Sequence, residues 1–155
     1  MTNCITTPER AASPGAPSRV VADPVYGWNA GANSSRAIAG DLQLRFTMGA
    51  VLGVVVGLVP NRTSPGDMAR ITHGFLFNQG PDGGMRYAVI ESGAVRNGSA
   101  GYTESTEFKV IRTGTNVVYV VDDARVYVSA VTCAGPQLCG CALYASNDCV
   151  PDSGW

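Results

Sequence analysis

The sequence predicts an all-β chain: a two-sheet antiparallel β-sandwich, or jelly roll, with an extended N-terminal arm. Three observations carry this. Strand-length apolar runs recur along the chain, turn-forming residues separate them, and no segment repeats its apolar positions every 3.6 residues. The 19 Gly and 9 Pro among 155 residues supply the turns, while charged residues make up only 15%. A chain of this length holds one domain with a core of its own.

Residues 1 to 24 contain Pro8, Pro14, Pro17 and Pro24 and little apolar periodicity, so they read as an extended arm. Such a segment is either a disordered tail or an arm lying across a neighbouring subunit, and Cys4 favours the second. Residues 25 to 155 form the sandwich domain. Within it, "AIAGDLQLRFTM" puts Leu42, Leu44 and Phe46 on one face and Gln43 and Arg45 on the other, the period of two of a half-buried strand. "VLGVVVGLV" is apolar throughout and reads as a strand buried on both faces, closed by the loop "PNRTSPGD". "ARITHGFLF" and "MRYAVIESG" flank "NQGPDGG", a loop of turn formers. In "EFKVIRTGTNVVYVVDDARVYVSA", Phe108 and Val110 point one way and Lys109 and Ile111 the other. Tight turns at "TGTN" and at Asp122–Asp123 then make a three-stranded antiparallel meander. "CGCALYAS" reads as a closing strand. Runs apolar on both faces imply cover on the outer side too, which suggests another subunit.

Charge and hydropathy exclude several function classes. The net charge is −1 and Lys109 is the single lysine, with no basic block to track phosphates, so nucleic acid is not an expected partner. "AVLGVVVGLVP" is far too short to cross a bilayer as a helix, and "MTNCITTPERAASPGAPSRV" lacks the apolar stretch of a secretory signal. The expectation is a soluble chain made in a cytoplasm.

The phrases "GWNAGANSSRAIAGD", "VVVGL", "ITHGF", "YAVIESG", "FKVIRTGTNVVYVVDDARVYVS" and "ALYASND" together resemble the concanavalin-like (LamG-like) sandwich modules of tailed-bacteriophage virion proteins. The resemblance spans about residues 26 to 150 and is most specific over residues 108 to 129. Asp123 stands where that pattern usually has Gly, which puts the type of this turn in doubt. The motif sets a hairpin and a sheet face and carries no catalytic residue. It implies a phage particle as the setting, with synthesis in the bacterial cytoplasm and localisation in the virion.

Catalysis finds little footing. His73 is the one histidine, and strand alternation places it with Ile71 and Phe75 as a satisfied core or interface residue. No Ser or Cys sits in a nucleophile turn, and no Glu-x-Asp-x-x-Glu run offers paired carboxylates for glycoside hydrolysis. Glu104, Glu107, Asp122 and Asp123 occupy strand mouths and turns, where charge is ordinarily solvated. No enzyme activity and no cofactor are expected. Tyr26 and Trp28, beside Asn29 and Asn33, are the candidate glycan platform, set against Trp28 simply capping the core. No calcium loop is present.

Cys133, Cys139, Cys141 and Cys149 cluster near the C-terminus, with five, one and seven residues between successive members. That is not the paired spacing of a zinc site, and no Cys-x-x-Cys redox motif occurs. In a strand, Cys139 and Cys141 share a face about 6.6–6.8 Å apart, the limit of disulfide reach, so each needs another partner. Cys4, Cys133, Cys139, Cys141 and Cys149 are therefore disulfide candidates, the odd number leaving one free or inter-chain. The leading expectation is a non-enzymatic structural virion protein that decorates or reinforces head, neck or tail. Its partners would be copies of itself, plausibly in a trimer, and other phage structural proteins, with disulfides as staples and the arm and "VPDSGW" touching neighbours. The alternative is a carbohydrate-binding adhesion module at a tail tip or fibre, with a host surface glycan as partner.

Overall fold

A computed structural model describes residues 20–21, 28, 30–60, 68–144 and 149–150. In chain order the strands are β1 (Val20–Val21), β2 (Ala30–Asn33), β3 (Leu42–Phe46), β4 (Gly53–Val59), β5 (His73–Gln79), β6 (Met85–Glu91) and β7 (Ala94–Val95). They continue as β8 (Ala100–Gly101), β9 (Phe108–Thr113), β10 (Asn116–Val121), β11 (Ala124–Val128), β12 (Leu138–Leu143) and β13 (Cys149–Val150). A single 3-10 turn, Met68–Arg70, precedes β5.

Two antiparallel sheets form the sandwich. The smaller runs β11-β10-β9-β3; the larger runs β2-β12-β4-β5-β6-β7, with β8 also paired to β6. The meander expected from residues 107 to 130 is present as β9, β10 and β11. Its second turn closes between Val121 and Ala124, with Asp122 and Asp123 at φ 49° and 64°. Two successive positive φ values define the hairpin turn whose twist matches its strands. Asp tolerates this backbone, and here each carboxylate also bonds: Asp122 accepts from the Glu107 amide at 2.9 Å and Asp123 from Lys109 Nζ at 2.9 Å. The turn keeps its hairpin form without glycine.

Between the sheets lies an aromatic core. Phe46, Phe75, Phe77 and Phe108 converge with Tyr87, Tyr102 and Tyr119, and the Phe77 and Phe108 rings meet edge to face at 4.8 Å. Alternation on β3 (Leu42, Leu44 and Phe46 buried, Gln43 and Arg45 exposed) is as the sequence predicts. All seven residues of β4 are buried. Val54, Val56 and Leu58 face the aromatic core, while Val55 and Val59 join a second cluster with Ile71, Ile90, Leu138 and Ala142. Trp28, Met68 and Leu76 pack on that cluster from outside.

This corrects two expectations. The outer face of β4 is covered by the chain's own Trp28, Met68 and Ile71, so its two-sided burial needs no neighbouring subunit. And β12 does not close the sheet: it lies between β2 and β4, with all six residues buried. A third difference concerns His73, which shares the inward face of Phe75 but not that of Ile71. The strand begins only at His73, so the period of two does not extend back to Ile71, which joins the outer cluster. Most of the arm lies outside the described residues; Val20 and Val21 pair with Val150 and Cys149 of the same chain.

Alternation on β9 also drives Arg112 inward, where it is 2% exposed. A buried guanidinium is costly unless its N–H groups are matched. Here Nε donates to Gly40 O (2.9 Å), Nη2 to Ile38 O (3.1 Å) and again to Gly40 O, and Nη1 to Gly135 O (2.6 Å) and toward Cys133 Sγ (3.8 Å). Among the described residues no carboxylate pairs with it. One side chain thus ties the segment after β2 and the segment before β12 to β9. Lysine offers fewer donors in no planar fork. Arg112→Lys should lower unfolding stability by about 2–4 kcal/mol, read as a shift of the urea midpoint at constant slope.

Candidate functional site

The outer face of the larger sheet carries a cleft of about 240 Å3 lined by Trp28, Leu52, Gly53, Met68, Leu76, Asn78 and Tyr144. Strand alternation builds it. Phe75 and Phe77 of β5 point inward, so Leu76 and Asn78 point outward; Cys141 and Leu143 of β12 point inward, so Ala142 and Tyr144 point outward. β4 runs between these two strands and sets the register: Gly53 pairs with Asn78 on one side, and its carbonyl accepts the Tyr144 amide at 2.9 Å on the other.

Gly53 lets the aromatic wall close. A Cβ there would stand 2.7 Å from Tyr144 Cβ and 3.4 Å from Trp28 Cη2. Without it, the Trp28 and Tyr144 rings meet at 5.5 Å with planes tilted 58°. Leu52 and Tyr144 remain 43% and 38% exposed, so the cleft opens to solvent. Among the described residues no charged side chain lines it. The Asn78 amide makes no side-chain hydrogen bond among the described residues, leaving its donors and acceptor available. Mostly apolar walls with one polar handle suit a small, neutral ring bearing both apolar and hydroxyl faces.

Other polar groups are occupied structurally. His73 is 1% exposed, with Nδ1 3.1 Å from Thr72 Oγ1 and Nε2 3.0 Å from Val131 O, a satisfied histidine. Glu91, buried at the end of β6, accepts from Tyr119 Oη at 3.1 Å and has Arg96 Nε 3.5 Å from its other oxygen. A second cleft of about 230 Å3 is lined by Arg112 with Gly40, Thr115 and Gly135, but Arg112 has already spent its donors on carbonyls. Glu107 and Asp123 pair with Lys109 at 3.3 and 2.9 Å, and Glu104 is exposed.

Of the platform residues expected from sequence, Trp28 lies in the cleft. Tyr26 and Asn29 lie outside the described residues. Asn33 sits elsewhere, on β2 opposite Gly140, with its Oδ1 filling the space a Cβ at Gly140 would need. Tyr144, Gly53, Leu76 and Asn78 were not singled out from sequence. Alternation alone could have put Leu76 and Asn78 on an outer face, but not beside Tyr144.

Cys139 and Cys141 share the inward face, with Gly140 facing outward. Cys133 and Cys141 are buried free thiols, and Cys139 is disulfide-bonded. Cys4 and the side chain of Cys149 lie outside the described residues. Burial pushes the Cys141 thiol up to about 12. Burial also raises Cys133, opposed by the Arg112 guanidinium beside it.

Compared by sequence, the chain matches no family model and no curated protein. Compared by structure, it is similar to the carbohydrate recognition domain of Emp47p, at 13% identity and a TM-score of 0.51 over 99% of this chain and 89% of that one. It is similar also to the exoplasmic/lumenal domain of VIP36 in a Ca2+/Man2-bound form, at 9% identity and a TM-score of 0.51 over 97% and 85%. A native glycosidic hydrolase, at 10% identity and a TM-score of 0.44 over 82% and 65%, is too distant to carry an argument. These likenesses support the two-sheet antiparallel sandwich and bear on fold alone; nothing in them shows a phage origin.

The buried thiols make an alkaline prediction. The Cys141 proton leaves the unfolded chain near pH 9 and the folded one only near 12, so stability is full below 9 and falls as pH rises through that window. Burial shifts Tyr87 and Tyr119 upward as well, adding to the loss above pH 10. Urea midpoints measured from pH 7 to 11 should fall above pH 9, and Cys141→Ala should lessen the slope.

Proposed function

We propose that this chain is a non-enzymatic carbohydrate-binding β-sandwich whose ligand sits in the Trp28–Tyr144 cleft. The observation that carries the reading is the cleft itself: an exposed aromatic wall beside an amide with unspent hydrogen-bonding capacity. A pyranose presents C–H groups on one face and hydroxyls at its rim. The first would pack on the Trp28 and Tyr144 rings, and the second would meet Asn78. Two solved structures of similar fold support the reading: one is a carbohydrate recognition domain and the other a lumenal domain bound to Ca2+ and Man2. Among the described residues no three His, Cys, Asp or Glu side chains converge on a cation position, so the proposal involves no metal.

In the phage setting implied by the sequence resemblance, such a module would act at a tail tip or fibre, carried in the virion and directed at a host surface glycan. That setting rests on the resemblance, and the cleft bears only on the sugar. A decorating or reinforcing role built on oligomers and staples has less behind it. The chain's own residues cover most of the outer face of β4, and although Cys139 is disulfide-bonded, Cys133 and Cys141 are free.

A glycan array followed by calorimetric titration tests the proposal. Saturable binding should weaken about tenfold or more in Trp28→Ala, and about fivefold in Asn78→Ala with the circular dichroism spectrum unchanged. An array silent for every glycan, with the protein shown to be folded, would sink it.

A further inference from the structure

We infer that the cleft takes a single neutral sugar residue bearing a methyl group, and that Leu52, Gly53, Met68 and Leu76 set this preference. The inference rests on the carbohydrate-binding reading above and narrows its ligand.

Size comes first. At about 240 Å3 the cleft is smaller than the roughly 300–1,000 Å3 of sites for drug-sized ligands, so it accommodates one ring and leaves the rest of a glycan in solvent.

Chemistry narrows it further. Beyond the two aromatic rings, the walls are the aliphatic side chains of Leu52, Met68 and Leu76. A hydroxyl pressed against these three side chains would lose its water and gain no donor or acceptor from them. A methyl group at the same place gains from burial instead. Among the described residues no charged side chain lines the cleft, so they offer the carboxylate of a uronic or sialic acid no cationic partner. Met68 adds a pliable thioether that packs on a methyl group without demanding one shape.

Gly53 fixes the depth of this methyl subsite. Any side chain there would push Tyr144 off its present place, since the added Cβ would lie 2.7 Å from the Tyr144 Cβ. Gly53 is thus a specificity-determining position, although it has no side chain to contact the sugar.

Two kinds of sugar carry the methyl group: a 6-deoxyhexose at C6 and an N-acetylhexosamine on its acetamido group. The second also offers an amide that Asn78 can bond. Matched pairs separate them. The full chain would be titrated, by two-dimensional NMR at the Trp28 indole N–H and the Met68 methyl, with three pairs of sugars. These are methyl α-L-rhamnopyranoside against methyl α-L-mannopyranoside, methyl α-L-fucopyranoside against methyl α-L-galactopyranoside, and N-acetylglucosamine against glucose.

In at least one pair the methyl-bearing sugar should bind about 4- to 10-fold more tightly, the worth of sparing one hydroxyl an unpaired burial in the first two pairs and of burying one methyl group in the third. A gain confined to the first two pairs identifies a 6-deoxyhexose; a gain confined to the third identifies an acetamido sugar. Leu52→Ser, at an exposed position that leaves the fold intact, should reduce the preference to about twofold or less. Gly53→Ala, which displaces Tyr144, should lower the methyl preference as well as the affinity of every member. Equal binding within every pair overturns this inference and leaves the carbohydrate-binding reading standing. No shift at Trp28 with any sugar, together with a silent glycan array, overturns both.

Discussion

Strand β4 carries no polar side chain on either face, so both faces must be kept from water. The inward side is met by the aromatic core between the sheets. The outward side demands a third layer, and the chain supplies it from Trp28, Met68 and Ile71. The candidate site follows from this demand: the outer layer is incomplete at the Gly53 end of β4, and the gap between Trp28, Tyr144 and Leu76 is the cleft. The apolar lining of the cleft is the exposed end of a covering whose main task is to keep β4 dry.

The polar interior obeys the same accounting of unmet groups. Arg112 is buried because β9 alternates, and it is tolerated because the carbonyls of Ile38, Gly40 and Gly135 accept its donors. Ile38 O accepts from the Gln137 amide as well, so the guanidinium joins an existing bridge between the two segments. Glu91 and Tyr119 bond to each other across the two sheets. His73, with both ring nitrogens engaged, belongs to this structural set. Buried ionisable groups here hold loops and sheets together, which is why none of them opens onto a cleft with a hydrogen-bonding group to spare.

A sandwich of this kind is a scaffold on which many activities are built, so fold similarity at 9–13% identity leaves function to the site. Among the described residues the site is aromatic, small and without a charged side chain. Glu91, the one buried carboxylate among the described residues, is engaged by Tyr119 and Arg96 and is not among the cleft residues.

Sequence by itself determined the fold class, the strands and most of the faces. The period of two in Leu42, Leu44 and Phe46, the unbroken apolar run of β4, and the two-residue turns of the meander are local properties of a pleated chain and need no partner to be read. It also isolated Trp28 as an aromatic of interest. Tertiary structure decided what pairs with what. That β12 lies between β2 and β4, and so brings Tyr144 to Gly53 and Trp28, depends on contacts between residues some ninety positions apart in the chain. So does the absence of any need for a second subunit over β4, because the covering residues come from separate segments. And the burial of Arg112 beside three carbonyls could be placed on a face by alternation, but its partners could be named only once the loops that carry them had been brought to it. Local periodicity reports which way a side chain points; only the pairing of distant strands reports what it meets there.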